Sequence, residues 1–289
     1  MILVTGATGK VGQELLRQLS AAKAPFRALV RSAGRAETIR EAGGEAVVGD
    51  LKDPVALATA LSGAEKLFLL TNSVPEQPAI EARVVDQAKM AGVRHVVKLS
   101  TSGADAEKPP HFLRLHRDSE RHIEGSGLDW TFLRPNFFMQ NYLDFSAAIR
   151  TQGVLAAPAG EGRHADVDAR DVGEVAARVL MEEGHEGRAY ELTGPEAHSF
   201  GDVARRITTI TVREVRFVDL PAEEGLRALV AAGETDWSAR AWVELLAWFQ
   251  QGRGTLNGSA VSIGVEEVLD RPPRSLDLFL RENLKAFGG

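Results

Sequence analysis

The sequence of 289 residues contains no cysteine. Disulfide bonds, thiolate nucleophiles and cysteine-bound metal ions are therefore excluded. No apolar run approaches the ~20 residues that a membrane-spanning helix needs, and the start of the chain lacks the basic segment and apolar stretch of a secretory signal. The net charge of −6 disfavours a surface dedicated to nucleic acid, because phosphate contacts need a basic face. We therefore expect a soluble, cytoplasmic protein with no nucleic-acid or membrane partner.

Short apolar runs alternate with helix-length segments through the first half of the chain. The pattern predicts strands at 2–4, 27–31, 45–49, 66–70, 94–100 and 130–133, and helices that include 11–22, 54–62, 78–92 and 112–125. Continuous apolar strands separated by helices are typical of a parallel sheet that is covered on both faces. The sequence therefore predicts an α/β fold with a doubly wound parallel sheet.

The regular alternation of apolar runs and helix-length segments ends after about residue 150. We predict a nucleotide-binding domain over 1–150 and a smaller, mostly helical lobe over 151–289 that is interwoven with it. Within the second part the sequence predicts a helix near 171–183, a strand near 188–192 and mostly helix over 221–289, with a glycine-rich break at 251–259.

Three regularly spaced glycines stand between the first predicted strand and the first predicted helix. Gly6, Gly9 and Gly12 lie in the segment TGATGKVG, at 5–12. In such a turn one glycine permits a sharp bend, another lets a phosphate approach the backbone, and the third lets the helix pack closely on the strand. Lys10 adds a cation at a helix N-terminus, where a bound anion would be favourable. The turn indicates a dinucleotide pyrophosphate site; a purely structural turn with a solvated lysine is the alternative.

The end of the second predicted strand carries an arginine where an NAD-binding site usually has an acidic residue. Arg31 and Arg35 lie there, and no acidic residue follows before Glu37. A guanidinium suits the 2′-phosphate of NADP, so the pattern favours NADP(H) over NAD(H); an exposed arginine without a ligand is the alternative. Asp50 follows the third strand, where it would accept from the adenine amino group or cap the next helix, although Asp53 fits the cap better.

Several motifs resemble the NmrA-like branch of the atypical short-chain dehydrogenase/reductase superfamily. They are TGATGKVG (5–12), LVR (29–31), GDLKDP (49–54), GVRHVVKLST (92–101), GLDWTFLRPNFFMQN (127–141), DVDARDVGEVAARVL (166–180), YELTGPEAHSFGDVA (190–204) and RPPRSLDLFLRENLKAF (271–287). The resemblance covers nearly the whole chain. It implies a Rossmann domain that binds NADP(H), with a small C-terminal lobe that closes over the nicotinamide.

The resemblance also implies which positions contact the coenzyme. The pyrophosphate would lie against Gly6, Thr8, Gly9, Lys10 and Val11, the adenosine phosphate against Arg31, and the adenine against Asp50 and Leu51. The nicotinamide ribose would be bordered by Thr71, Asn72, Ser73, Ser100 and Thr101, and the nicotinamide flanked by Pro135, Asn136 and Phe137.

The Tyr-x-x-x-Lys proton relay that is typical of this superfamily is missing. The chain has only two tyrosines. The fourth residue after Tyr142 is Ser146, and the fourth after Tyr190 is Gly194, so neither tyrosine has the required lysine. Any proton donor must therefore be a different group.

His116 is the general-acid candidate, because Glu120 lies four residues later on the same predicted helix face. A carboxylate beside an imidazole raises its pKa and would poise it as an acid near neutrality; a solvated, arginine-rich face is the alternative. With His111 and His122, this histidine does not form the i, i+4 pair of a helix-borne zinc site, so we expect no metal.

Hydride transfer itself needs no protein acid when the acceptor delocalises the resulting charge, as quinones, activated azo compounds and cationic dyes do. The aromatic segment 135–145 would wall a pocket for such a flat molecule, or else belong to the core. We therefore predict an NADPH-dependent oxidoreductase that transfers hydride to a quinone-like or other electron-poor aromatic acceptor. The alternative is a non-catalytic NADP(H)-sensing regulator of the NmrA type, and nucleotide-sugar isomerase chemistry ranks last. The oligomeric state, a homodimer included, stays open.

Overall fold

The computed structural model describes residues 1–251 and 260–289. The described elements are, in chain order, β1 (Ile2–Val4), α1 (Lys10–Ala21), β2 (Phe26–Val30), α2 (Ala33–Glu41), β3 (Glu45–Val48), α3 (Pro54–Leu61), β4 (Lys66–Leu69), α4 (Gln77–Met90), β5 (His95–Leu99), α5 (His111–Ser126), β6 (Asp129–Pro135), a 3-10 helix (Met139–Phe145), α6 (Ser146–Gln152), β7 (Val154–Ala157), β8 (Arg163–His164), α7 (Ala169–Met181), β9 (Arg188–Leu192), β10 (His198–Ser199), α8 (Phe200–Thr211), β11 (Arg216–Asp219), α9 (Ala222–Ala231), α10 (Asp236–Gln250), α11 (Gly264–Leu269), α12 (Leu276–Glu282) and a 3-10 helix (Leu284–Phe287). No helix in these two ranges has the length and apolar composition needed to cross a membrane.

A seven-stranded sheet forms the centre of the molecule, with strand order β3-β2-β1-β4-β5-β6-β9 and every neighbouring pair parallel. The predicted doubly wound α/β fold is confirmed. The order reverses between β1 and β4, and in such sheets a ligand binds beyond the carboxyl ends of the strands at that reversal. This edge of the sheet is therefore where the functional groups are expected.

Helices cover both faces of the sheet because their apolar residues recur at helical spacing. On α1 the side chains of Val11, Leu15, Leu16 and Leu19 are buried, as the periodicity predicts. This helix packs against α7 so closely that a Cβ added at Gly173 would lie 2.6 Å from the Cβ of Glu14. One core lies on this face of the sheet, and a second lies between the sheet and α3, α4 and α5.

Residues after 150 build part of the sheet as well as a separate layer. Strand β9 pairs with β6, so the chain returns to the central sheet. The remaining elements form a further core with Phe200, Leu246 and Phe279, together with Tyr142. Two short sheets, β7–β11 and β8–β10, brace this layer. The division into two domains at residue 150 stays a prediction.

The predicted strands agree with the observed ones to within two residues. Helix α2 was not predicted, because only Ala36 and Ile39 of its residues are buried and the apolar pattern is sparse. The helix expected near 171–183 is α7, and 221–289 is mostly helical where it is described. The glycine-rich break predicted at 251–259 lies, apart from Gln251, outside the described residues.

Candidate coenzyme and substrate site

The glycine turn lies at the carboxyl end of β1 and opens α1. Gly6 has φ +64°, a conformation that a residue with a Cβ rarely adopts. A Cβ at Gly12 would lie 2.2 Å from the carbonyl oxygen of Gly6. Helix α1 begins at Lys10, after Gly9, and no side chain of the described residues caps it. The turn therefore offers uncapped N–H groups and a surface without side chains, which fits a pyrophosphate.

The other residues predicted around the pyrophosphate contribute in different ways. The side chain of Val11 is buried in the core, so only its backbone remains available to a ligand. Lys10 extends from the turn and its Nζ donates to Oδ1 of Asn141 at 3.3 Å. Because Asn141 also lines the cavity described below, this hydrogen bond links the start of α1 to the wall of that cavity.

The carboxyl end of β2 presents a free cation beside a second uncapped helix. Arg31 is exposed and forms no ion pair within the described residues. It precedes Ser32, and α2 begins without a side-chain cap and without an acidic residue in its first turn. This set of donors fits a doubly charged phosphate.

After β3, Asp50 and Asp53 make different hydrogen bonds. Asp53 caps α3, as the sequence predicts, by accepting from the N–H groups of Val55 and Ala56 at 2.9 and 3.3 Å. The carboxylate of Asp50 accepts from the N–H of Lys52 at 2.8 Å, which holds it in the turn rather than at the helix end. Its predicted contact with adenine stays a prediction.

A cavity of about 380 Å³ lies beyond the carboxyl ends of β4, β5 and β6. His116 lines this cavity, and so does every residue predicted around the nicotinamide and its ribose. Those predicted residues are Thr71, Asn72, Ser73, Ser100, Thr101, Pro135, Asn136 and Phe137. The parallel topology brings them together, since the ends of neighbouring parallel strands lie at one edge. Their individual contacts with coenzyme remain predictions.

The wall opposite the sheet is aromatic. Helix α10 contributes Trp242, Trp248 and Phe249, and α5 contributes Phe112, whose ring meets Trp242 edge-on with centroids 5.2 Å apart. The aromatic segment 135–145 contributes residues both to the cavity wall and to the core. Phe137 and Phe138 line the cavity, whereas Met139 and Tyr142 are fully buried in the core behind it.

Two buried ionic networks lie directly beneath this cavity, and sequence analysis did not find them. In the first, Nζ of Lys98 lies 2.7 Å from Oε2 of Glu81, and the hydroxyl of Thr71 donates to Oε1 at 2.5 Å. Lys98 and Glu81 are 0% and 1% exposed. Burial is the largest single influence and raises the pKa of Glu81, but the charge of Lys98, the neighbouring His116 and the hydrogen bonds from Lys98 and Thr71 together outweigh it, so the pKa is lowered overall. A lysine inside the apolar strand VVKL was the available signal.

The second network determines what Glu120 does. Its carboxylate accepts from Nε and Nη2 of Arg134, each at 2.9 Å, and from the hydroxyl of Ser100 at 2.6 Å. Arg117 contacts it from its own helix at 3.1 Å. Since these partners occupy Glu120, the carboxylate does not pair with His116. The predicted His116–Glu120 pair is wrong.

His116 also differs from prediction in its charge. Burial, followed by the positive charge of Lys98, lowers the pKa of His116 to about 3, although Glu81 acts in the opposite direction. The imidazole is neutral near pH 7, so the prediction of a charged acid poised near neutrality is wrong. His116 does line the cavity, as expected of a functional residue. Its role in the reaction stays a prediction.

Neither tyrosine lines the cavity in the described part of the chain. The hydroxyl of Tyr142 donates to Asp166 at 2.9 Å, and burial raises its pKa well above the ordinary value. Tyr190 bonds to His185 at 2.8 Å. His111 and His122 pair with Glu244 and Asp86, and residues 1–251 and 260–289 contain no group of three or more potential ligand side chains that could hold a metal ion.

The sheet order, the glycine turn and the cavity at the strand ends define a dinucleotide-binding protein of the Rossmann class. Residues 6–183 match the family model described as NAD(P)H-binding. The chain belongs to this family, which confirms the family resemblance and the nicotinamide coenzyme predicted from the sequence.

Named relatives span most or all of the chain. The NAD(P)H azoreductase of Xenophilus azovorans is 38% identical over 100% of this chain and 99% of its own length. Quinone oxidoreductase 2 of Escherichia coli is 33% identical over 82% of this chain and 83% of its own length. The solved structure of an NADPH-dependent quinone oxidoreductase from Escherichia coli, in complex with NADPH, matches with a TM-score of 0.89 and 28% identity, covering 98% of this chain and 100% of that one.

Proposed function

We propose that this protein is an NADPH-dependent oxidoreductase that transfers hydride to a flat, electron-poor aromatic acceptor of the quinone or azo type. The observation that carries the proposal is the aromatic cavity at the carboxyl ends of β4–β6, whose lining residue Asn141 accepts a hydrogen bond from Lys10 of the turn shaped for a pyrophosphate. The activities for which the azoreductase and quinone oxidoreductase relatives are named support the same chemistry. A small aromatic molecule is the inferred partner; a cytoplasmic location and a homodimer stay predictions.

The glycine turn would seat the pyrophosphate through its backbone, and Arg31 with the start of α2 would bind the 2′-phosphate. The polar residues after β4 and β5 would border the nicotinamide ribose, and those after β6 the ring. When bound, the reduced nicotinamide supplies the hydride. This chain's contribution is to hold donor and acceptor together and to exclude water.

The acceptor would lie between the end of the sheet and the wall formed by Trp242, Trp248 and Phe249. Flat aromatic molecules pack well on such rings, in stacked or edge-on contacts. Quinones and azo compounds delocalise the charge that hydride adds, so the reaction does not depend on a Tyr-Lys relay. This explains how a chain whose tyrosines lie away from the cavity can still catalyse reduction.

Incubation of the purified protein with NADPH and a panel of quinones and azo compounds tests the function. We expect loss of the reduced-nicotinamide absorbance with at least one acceptor. We also expect Trp242→Ala to raise the acceptor KM about tenfold, the effect of losing one aromatic contact and its buried area, without changing NADPH affinity. Trp237→Ala, on the same helix but outside the cavity lining, serves as the control.

A panel without any turnover, combined with tight but unequal binding of NADP⁺ and NADPH, would instead favour the redox-sensor alternative. A sensor needs such a difference, because equal affinities shift no population.

Coenzyme preference provides a second test. Arg31→Ala should reduce the ratio of NADPH to NADH affinity by roughly 10- to 100-fold, since a charge-assisted contact to phosphate contributes about 1.5–3 kcal/mol. Calorimetric titration of both nucleotides measures the ratio. Arg281→Ala removes another exposed arginine that forms no ion pair in the described residues; it lies on α12, outside the predicted coenzyme site, and should leave the ratio unchanged. An unaltered ratio in Arg31→Ala would refute the 2′-phosphate assignment.

A further inference from the structure

A line of polar contacts runs from the buried centre of the sheet to the cavity wall. It begins with the ion pair between Lys98 on β5 and Glu81 on α4, at 2.7 Å. Nε2 of Gln77, one turn earlier on α4, donates to Oε1 of Glu81 at 3.3 Å. The same nitrogen lies 3.5 Å from Nδ1 of His116 on α5. The imidazole at the end of this line faces the cavity.

The order of charges fixes the orientation of each group in the line. Lys98 keeps Glu81 ionised, so the carboxylate can only accept hydrogen bonds. The amide of Gln77 must then direct its NH₂ group at Glu81, because the reverse orientation would bring two oxygens together. The second hydrogen of that NH₂ is directed at Nδ1 of His116. A neutral imidazole that accepts at Nδ1 carries its proton on Nε2.

Burial is the main reason that His116 stays neutral. Among the charged groups around it, Lys98 on β5 also opposes protonation and Glu81 on α4 favours it. On its own helix, Arg117 pairs with Glu120 and Glu124, and Glu120 also pairs with Arg134 on β6. On α10, Glu244 pairs with His111. The result is an imidazole that is a hydrogen-bond donor at Nε2 over the whole physiological pH range.

We propose that His116 is a catalytic residue that acts as a neutral donor: its Nε2–H hydrogen-bonds to the acceptor atom on which negative charge collects, and Gln77 and Glu81 are positioning residues that fix this tautomer. The proposal rests on the proposed function. The acceptor takes a hydride from the coenzyme's C4–H bond, and the displaced electron pair remains on an acceptor oxygen or nitrogen. His116 keeps its own proton. The proton that completes the reduction comes from water when the product anion leaves.

The tautomer can be measured without any reaction. In full-length protein labelled with ¹⁵N-histidine, the His116 signal, identified by its loss in His116→Gln, should show a protonated Nε2 and an unprotonated Nδ1. This pattern should persist from pH 8 to pH 5.5. Gln77→Leu should produce a mixture of tautomers. A proton on Nδ1 in the wild-type protein, or a charged ring at pH 6, would overturn the proposal.

Kinetics test the donor itself. His116→Phe should lower kcat/KM for a quinone by roughly 100-fold, the typical loss when one donor to a developing negative charge is removed, with NADPH affinity within twofold of wild type. His116→Gln, which keeps a neutral N–H, should retain most of the activity. His122→Phe, on the same helix but paired with Asp86 outside the cavity, is the matched control.

The dependence on pH separates a neutral donor from a charged acid. We expect kcat to stay flat from pH 5.5 to pH 8, whereas an imidazolium acid would lose activity as pH rises through its pKa. If the wild type turns over and His116→Phe has the same kcat/KM, the proposal for His116 is refuted, whereas the proposed function of the protein is not. Failure of the wild type to oxidise NADPH with any acceptor would refute the proposed function, and the tautomer measurement would still report on the positioning of His116.

Discussion

Gly12→Ala is expected to weaken NADPH binding by roughly 100-fold or more. The new methyl group would lie 2.2 Å from the carbonyl oxygen of Gly6 and 2.8 Å from the backbone of Ala7. Neither neighbour is a flexible side-chain end, so α1 must move away from the turn. That movement would take backbone N–H groups away from the pyrophosphate, and because each hydrogen bond to a charged group contributes about 1.5–3 kcal/mol, the loss of two lowers NADPH affinity by about 100-fold or more. The accompanying overpacking should destabilise the fold by only about 1–3 kcal/mol.

Calorimetric titration with NADPH measures the binding loss, and urea unfolding measures the stability. Gly125→Ala is the matched control, because a Cβ at Gly125 on α5 meets no atom within 4 Å. Alanine is the better helix former there, so that variant should be slightly more stable and should bind NADPH normally. Wild-type affinity in Gly12→Ala would contradict the assignment of the turn to the pyrophosphate.

The fold was predictable because its main signals are local. Each central strand is a short apolar run, and the residues of α1 that face the core recur at helical spacing. Helix α2 lacks this signal, since most of its surface faces solvent. The pairing of β7 with β11 joins segments about 60 residues apart, and no periodicity in either segment specifies it.

The polar rim of the cavity was predictable for a topological reason. Residues such as Thr71, Ser100 and Asn136 follow successive parallel strands, and parallel pairing places all their ends at one edge. The segment 135–145 was harder to interpret. Composition alone does not separate Phe137, on the cavity wall, from Tyr142, which the 3-10 helix turns into the core.

Helical spacing alone did not predict the partners of the charged and polar groups beneath the cavity. Positions i and i+4 share a face, but His116 and Glu120 each have closer partners on other elements. Arg134 on β6 holds Glu120, and Gln77 on α4 contacts His116. Those neighbours are set by how α4, α5 and β6 pack together. The same packing lowers the pKa of His116, first because it buries the imidazole and then because it brings Lys98 of β5 near it.

Lys98→Met should destabilise the protein by about 3–5 kcal/mol at pH 7, the usual loss when one partner of a buried ion pair is removed. Glu81 would then remain as a buried carboxylate without its lysine, and Thr71 and Gln77 would be its side-chain hydrogen-bond donors among the described residues. Urea unfolding of the full-length chain measures the loss. Lys52→Met, at an exposed lysine, should change stability by less than about 0.5 kcal/mol.

The double variant Lys98→Met/Glu81→Leu separates the lost charge from lost packing. It should regain most of the stability, because replacing both members of a buried pair with apolar side chains is often neutral or better. If the double variant is as unstable as the sum of the single ones, the pair is not coupled and the explanation fails.

The effect of pH on Lys98→Met has a definite sign. In the wild type the pKa of Glu81 is lowered from its ordinary value of 4.5, so the pair contributes stability above that pH and loses it as the pH falls below it. Without Lys98, burial dominates and raises the pKa of Glu81. Protonation then relieves the buried charge, so the gap in unfolding free energy between the two proteins should narrow as the pH falls from 7 to 4. A gap that stays constant over this range would show that the loss arises from packing around residue 98 rather than from the charge of Glu81.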